Sequence, residues 1–317
     1  MSFLEAVFSE NTLVAIFRMA TPLIFIAMAA CIGRKANITS IAYEGMALFA
    51  ALCGALGSHY TNSLWLGALI GIAAGMLIAV IFAYFVLYLD TSPMLIGLAL
   101  NSLGNFGTIY MLFLITGRKS DSSTMVSQSF PTLSIPALKD VPVLGPLLNQ
   151  TNVLTYVAIL ATIIIFIVIY KTPFGLRLRS VGESPSAATS VGINVKKTQF
   201  IVMLISGFLA SMGGLFMSMA YLPYFTKNML SGRGFIGLAA CNLAAGHPIG
   251  AFACTLLFGA ADAIANVAQA FRLPAQFASM LPYIATIVGL CVTGYRVSHV
   301  KIKKAKKAKR RLRSVNA

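Results

Sequence analysis

Apolar residues run along this chain in blocks too long for an ordinary soluble helix, separated by short polar punctuation. A helix rises 1.5 Å per residue, so about 20 apolar residues cover the hydrocarbon core of a bilayer. By that ruler the blocks at 12–32, 41–58, 63–89, 94–116, 151–170, 200–221, 249–270 and 277–296 each predict a spanning helix. A ninth block, 234–246, is too short to cross alone. Backbone polar groups in lipid must be bonded within their own segment. The pattern therefore predicts an all-α polytopic membrane protein with about nine transmembrane segments, one of them short or broken. No tandem repeat is visible in the sequence.

The polar punctuation sets an orientation. Arg34 and Lys35, then Lys171, Arg177, Arg179, Lys196 and Lys197, then the basic tail fall on segments that the positive-inside rule places in the cytoplasm. The N-terminus, "MSFLEAVFSEN", has two Glu and no basic residue, which places it outside. The block after it has no small-residue cleavage site, so it reads as an uncleaved span. Five spans carry the chain from outside to the 171–199 loop, and an even number must come after it for the tail to end inside. Block 234–246 must then complete a crossing as a broken or tilted helix. Irregular backbone at membrane depth needs protein or a cavity around it, and that points to a transport path. The expected organisation is one transmembrane domain over 1–300, with a cytoplasmic loop at 171–199 and an extracytoplasmic loop at 117–150, and then a cytoplasmic tail at 301–317. The 117–150 loop, Ser-rich and with four Pro, reads equally as a docking surface or a flexible linker.

Composition sharpens this picture. Hydrophobic residues make up 58% of the 317 and charged ones only 10%, against about 25% charged in soluble domains. The net charge of +16 raises the question of nucleic acid, but nine of the 24 basic residues sit in 301–313. A polybasic segment beside a span is explained more simply by anionic lipid of the bilayer, so no nucleic-acid partner is expected. The five cysteines, Cys31, Cys53, Cys241, Cys254 and Cys291, lie in or beside apolar blocks with no C-x-x-C pair, and read as small buried hydrophobes.

No catalytic pattern emerges. There is no G-x-x-x-x-G-K-[ST] phosphate loop, no H-E-x-x-H and no G-x-S-x-G, and His59, His247 and His299 are scattered. "LSGRG" at 230–234 resembles the signature of ABC ATPases, but without a phosphate loop it is a chance likeness. Gly67, Gly71 and Gly75 repeat every four residues on one helix face, which predicts close packing of another backbone.

Polar residues inside the apolar blocks are the candidates for chemistry, because an ionisable group in hydrocarbon costs about 2.5–3.5 kcal/mol unless protein or water receives it. They are Glu44, Asn101, Asn105, Asn242, Asp262 and Asn266. Asn101 and Asn105 are four apart, as are Asp262 and Asn266, so each pair shares a helix face. Two such faces with the Glu44 segment would line a path that hydrogen-bonds a polyhydroxylated or heterocyclic solute. Phe106 and Tyr110 extend the Asn face with rings suited to stacking on a sugar or base. Hydrogen bonding between helices and aromatic core packing explain the same residues without a solute. Arg233, in a Gly-flanked loop, reads as a backbone or lipid anchor.

The polar stretch "GESPSAATSVGIN" predicts its own short helix. Ser184 suits the N-cap, Pro185 the first helical position and Gly192 the residue after the last turn, giving a helix over 185–191. Seven residues make a rod of about 10 Å, which spans nothing. Its small side chains suit another protein's groove.

In these residues the chain resembles the permease subunits of bacterial ABC importers of the ribose and branched-chain amino-acid type, most closely their nucleoside and simple-sugar branch. The resemblance rests on "TPFGLRLRSVGESPSAATSVGINV", with support from "ITSIAYEGMALFAALCGAL" and "GRGFIGLAACNLAAGHPIGAFACTLLFGAADAI". It implies that 183–192 is a coupling helix, with Gly182, Glu183, Ser184, Pro185, Ala187, Ala188 and Gly192 serving attachment to an ABC ATPase subunit. It also implies a second permease, a related but non-identical chain, and an extracytoplasmic substrate-binding lipoprotein. ATP and Mg would be bound by the ATPase and no cofactor by this chain, with transport by alternating access. The chain departs from the family pattern at Tyr43, which adds bulk before Glu44-Gly45, at Asn242, where an apolar residue is usual, and at Ala244-Ala245, which extend the break. The competing reading is an ion-coupled secondary transporter with Glu44 or Asp262 as its ion site.

Overall fold

The computed structural model describes residues 10–133 and 151–270, with single positions at 280, 284, 287, 289 and 291. The predicted span at 277–296 is described only at those positions. The 301–317 tail and the 134–150 part of the long loop lie outside the described residues. Helix dominates the rest. In chain order the helices are α1 (Glu10–Lys35), α2 (Tyr43–Thr61), α3 (Leu64–Tyr88), α4 (Pro93–Ser102), α5 (Thr108–Thr116), α6 (Val153–Lys171), α7 (Pro173–Glu183), α8 (Pro185–Ser190), α9 (Val195–Phe216), α10 (Arg233–Leu243) and α11 (Pro248–Ala270). A π-helical turn, Leu103–Gly107, joins α4 to α5, and another, Met217–Tyr221, ends α9. Two-residue strands β1 (Thr132–Leu133) and β2 (Thr151–Asn152) pair antiparallel.

Six helical segments among the described residues are long and apolar enough to cross a bilayer: Val14–Lys35, Leu64–Tyr88, Pro93–Thr116, Val153–Lys171, Val195–Tyr221 and Pro248–Gln269. The figure of about nine spans drawn from the sequence is thus met here by six. Helix α2 carries Glu44 and His59 among small residues, and α10 has only 11 residues. Both are inner elements of the bundle, where packing on protein replaces length and hydropathy.

Helix α1 is the axis. Its residues from Leu23 to Ile32 are fully buried, enclosed by α6, α9, α10 and α11. Pro22 cannot donate within the helix, and Thr21 beside it donates its hydroxyl to the Phe17 carbonyl at 2.7 Å. Around this axis the chain repeats an order that the sequence does not advertise. A long helix (α1, α9) leads through a non-helical passage into a helix that starts inside the bundle (α2, α10) and then a long one (α3, α11). The two sets interlock, with α1 against α11 and α9 against α3.

Glycine sets the spacing where α3 meets α2 and α9. A Cβ on Gly67 would lie 2.4 Å from Ser58 Cβ; on Gly71, 2.7 Å from the Ala50 carbonyl oxygen; on Gly75, 2.8 Å from that of Met46 and into the Ser211 hydroxyl. The four-residue glycine repeat therefore lines a seam between backbones.

At one end of the bundle, residues 117–131 lie across 219–227. Ser122 and Phe225 exchange bonds, the Ser122 N–H to the Phe225 carbonyl at 2.8 Å and the Phe225 N–H to the Ser122 hydroxyl at 2.9 Å. The Phe130 N–H reaches the Met219 carbonyl at 2.8 Å. Asp121 organises the crossing, accepting from the Ser123 N–H at 3.1 Å and the Ser120 hydroxyl at 2.8 Å. These bonds, those of Ser123 foremost, lower its carboxyl from 3.8 to about 2. The described part of the loop is thus a docked cap.

Gly71→Leu should cost about 1–3 kcal/mol through overpacking, read as a lower melting temperature in detergent, whereas Gly107→Ala, whose Cβ would meet only side-chain atoms at 3.5 Å or beyond, should melt like the parent. Because folding lowers the Asp121 pKa, its contribution is complete above pH 3.8 and fades as pH falls through about 2. Hydrogen exchange at the Ser123 amide should be slow at pH 5 and accelerate, beyond the intrinsic pH dependence, only below pH 3.8.

Candidate functional site

Two regions concentrate polar groups: the α7–α8 projection at one end of the bundle, and the middle, where α2 and α10 begin. The projection starts from Thr172, whose hydroxyl caps α7 by accepting from the Gly175 N–H at 3.1 Å, with Pro173 at the first helical position. Gly175 lets α7 fold back on α6, since a Cβ there would overlap the Val168 carbonyl oxygen at 2.0 Å. Leu178 and Val181 turn inward, while Leu176 and Arg177 face out. Helix α7 is not among the elements expected from the sequence. Its Thr172-Pro173 start is nonetheless the same cap signal as Ser184-Pro185 and could have revealed it.

Helix α8 comes directly after α7, over Pro185–Ser190 rather than 185–191. The Ser184 hydroxyl accepts from the Ala187 N–H at 3.4 Å. At the other end Gly192, at φ +82°, closes a Schellman motif, with the Ile193 N–H on the Ala188 carbonyl at 3.0 Å and the Gly192 N–H on that of Thr189 at 2.9 Å. The predicted coupling residues divide by direction. Glu183, Pro185, Ala187 and Gly192 are exposed and Ser184 is half-buried, but Ala188 is 2% exposed and faces the bundle. Gly182 is a contact point, because a Cβ there would overlap the Lys35 carbonyl oxygen at 2.0 Å. That contact fastens the projection to the end of α1, and Gln199 of α9 donates from Nε2 to the Ala36 carbonyl beside it at 3.0 Å. An open groove of about 610 Å³ runs between α8 and the start of α9, lined in part by Pro185, Thr189 and Lys196.

In the middle of the bundle two helix N-termini need partners for their first N–H groups. Asn101 serves α2: its side-chain oxygen accepts from the Gly45 N–H at 2.8 Å and its amide donates to the Ile41 carbonyl at 2.8 Å. Glu44 serves α10: Oε1 accepts from the Gly232 N–H at 2.9 Å, while Oε2 is buried with no partner. Glycine lets these ends meet, with Gly234 against Glu44 and Gly104 against Gly45. Arg233 is paired with Asp262 at 3.4 Å and bonds the Met229 and Leu230 carbonyls, each at 3.4 Å. Tyr43, the bulky departure noted in the sequence, is fully buried and donates its hydroxyl to the Ala29 carbonyl at 3.3 Å.

The expected polar path is therefore only partly assembled. Glu44 and Asp262 converge on Arg233's segment, and Asn101 is beside Glu44, but all three are bonded to protein. Asn105 sits on the π-turn, half-buried, with its side-chain oxygen unpartnered. Phe106 and Tyr110, 73% and 64% exposed, point out of the bundle. Asn242 lies apart at the α7–α8 end, exposed, accepting from Arg34 Nη1 at 2.6 Å. Asn266 is exposed one turn beyond Asp262. The π-turn at Leu103–Gly107 separates Asn101 from Asn105, while Asp262 and Asn266 stay on one face of α11 and differ in exposure. Arg233's two acidic neighbours are non-local, so sequence reading missed that it anchors the knot.

A bundle of interlocked apolar helices, six of them among the described residues long enough to cross a bilayer, with two further helices starting inside it, is the architecture of a multi-pass membrane protein. The chain belongs to the family described as "Branched-chain amino acid transport system / permease component", whose model matches residues 12–290. It is 34% identical to the guanosine ABC transporter permease protein NupQ of Bacillus subtilis, over 87% of this chain and 89% of that one. It is 30% identical to the nucleoside ABC transporter permease protein NupC of Lactococcus lactis, over 86% and 89%. A putative glucose ABC transporter permease protein, TsgC13 of Haloferax volcanii, is 27% identical over 93% and 95%. The chain is a transport component and not an enzyme.

Asn101→Leu would strip Gly45 and Ile41 of their partners in an apolar setting and should destabilise the protein by about 2–4 kcal/mol. Asn105→Leu, which breaks no bond, should change stability by less than about 0.5 kcal/mol. Paired thermal melts in one detergent check the difference.

Proposed function

We propose that this chain is the permease subunit of an ATP-binding cassette importer for nucleosides. It works by alternating access with a second, related permease, an ABC ATPase that binds the ATP and Mg, and a substrate-binding lipoprotein. Family membership and the names of its relatives support this reading, and the observation that carries it is α8. This capped helix presents Pro185, Ala187 and Thr189 outward, beside Glu183 at the end of α7, while α7 ties it to α1, α6 and α9. Movement of a partner seated on α8 would pass to the spans through Gly182 and Gln199.

The 171–199 segment and the C-terminus then lie in the cytoplasm of a bacterial cell, and the N-terminus and the 117–133 cap lie outside. Nine crossings result when α2, α10 and the 277–296 block are added to the six long helices. The solute would pass along the outward surface of α4 and α5, where Asn105 offers a hydrogen-bond acceptor and Phe106 and Tyr110 offer rings. Glu44, Asn101 and Asp262 serve the framework behind it, whereas Asn242, bonded to Arg34, lies apart from it. A secondary transporter is not favoured, since the acids it needs as ion sites are engaged with Gly232 and Arg233.

Proteoliposomes holding both permeases, the ATPase and the loaded binding protein should take up guanosine only when ATP is present. Ala187→Arg should cut co-purification of the ATPase by roughly ten-fold, about 1.4 kcal/mol of docking energy, with insertion intact. Uptake by this chain alone that is abolished by uncouplers and indifferent to ATP would overturn the proposal, as would normal ATPase binding by the variant.

A further inference from the structure

Where α1 and α10 run side by side, the contact steps along both helices in register. Gly237 packs on Ile26 and Ala27, with an added Cβ only 2.6 Å from Ile26 Cγ2. One turn on, at +4 from Ala27 and from Gly237, stand Cys31 and Cys241, both fully buried. Beyond them Asn242 accepts from Arg34, and an added Cβ on Gly246 would meet Arg34 Cδ at 3.1 Å and Lys35 Cε at 3.5 Å. Gly237 thus brings the two backbones close one turn before the cysteines, and the Arg34 contacts hold the helix ends together one turn after them. Each thiol interacts with the other more strongly than with any other group. Cys53 and Cys254, the other described cysteines within long helices, lie elsewhere, on α2 and α11, and are free.

A disulfide needs Cα atoms within about 4.4–6.8 Å and Cβ vectors that converge, and a close helix pair with interacting thiols one turn beyond a glycine contact is the setting that favours it. We infer that Cys31 and Cys241 form a redox-modification site, a dithiol that hydrogen peroxide converts to a disulfide stapling the short helix α10 to α1. The pair lies one turn inside the exposed Arg34 and Asn242, a short route for a small neutral oxidant. One sulfur attacks a peroxide oxygen and releases water, leaving a sulfenic acid. The second sulfur then displaces that hydroxyl, and its proton leaves with it as a second water. The sulfurs lose two electrons and the peroxide gains them.

The staple acts on a moving part if α10 shifts in the transport cycle, and to that extent it rests on the transport reading. A bond between α10 and α1 then acts as a reversible brake.

The test has two arms that fail separately. Full-length protein in detergent is exposed to hydrogen peroxide, quenched with N-ethylmaleimide and digested without reductant. The expected product is a single linked peptide pair joining Cys31 to Cys241, lighter by two hydrogen atoms than its parts, absent in Cys241→Ser and lost on reduction. Recovery of both cysteines as separate alkylated thiols, or as separate sulfinic acids, would overturn the site. In the assembled transporter, peroxide should lower ATP-driven uptake several-fold, dithiothreitol should restore it, and Cys31→Ser and Cys241→Ser should resist. Unchanged uptake by protein shown to be linked would overturn the brake. An untreated transporter with no uptake at all counts against the transport reading alone, because the peptide arm does not depend on it.

Discussion

Everything in this bundle is arranged around two helices that begin inside it. A helix N-terminus exposes N–H groups that lipid cannot bond, so α2 and α10 can start at depth only if other parts of the protein supply acceptors. Asn101 supplies one for Gly45, and the Glu44 carboxylate supplies one for Gly232. Glu44 is itself in the first turn of α2, so one helix start helps to cap the other. A carboxylate facing the positive end of a helix dipole is a favourable place for a charge that hydrocarbon would otherwise reject.

The close approach this demands explains the glycines nearby. Gly45 meets Gly104, and Gly234 meets Glu44, at distances where no Cβ fits. Arg233 completes the arrangement by bonding carbonyls of the loop that precedes its own helix and pairing with Asp262 on α11. These contacts tie four elements at one depth, while the projection at the end of the bundle is tied to α1 by Gly182. The projection is thereby joined to the helices around α1.

Local features were legible in the sequence and distant pairings were not. Ser184, Pro185 and Gly192 announced α8 to within one residue, because caps and the left-handed Gly are decided by neighbours in the chain. Gly67, Gly71 and Gly75 announced a packing seam for the same reason, though not which helices would fill it. The Asn101 and Asn105 spacing gave a common face, but the π-turn over Leu103–Gly107 rotates α5 relative to α4 and leaves one residue bonded and the other free. Asn242 looked like a path residue and proved to be Arg34's partner 208 positions away, a relation that no local pattern encodes. Helix α7 was missed although its Thr-Pro start was present, because Gly175 and Gly182 read as loop glycines when their actual role is contact with other backbones.

In the function proposed, the buried polar residues hold helix ends together and do not hold solute. Glu44→Leu, studied by thermal melting and by the solute dependence of ATP-driven uptake in the same preparation, tests it most directly. The expected result is a clear fall in melting temperature, with the half-saturating solute concentration of the surviving protein unchanged. A variant that melts like the parent yet needs far more solute would show Glu44 to be a ligand and would overturn its role as a helix cap.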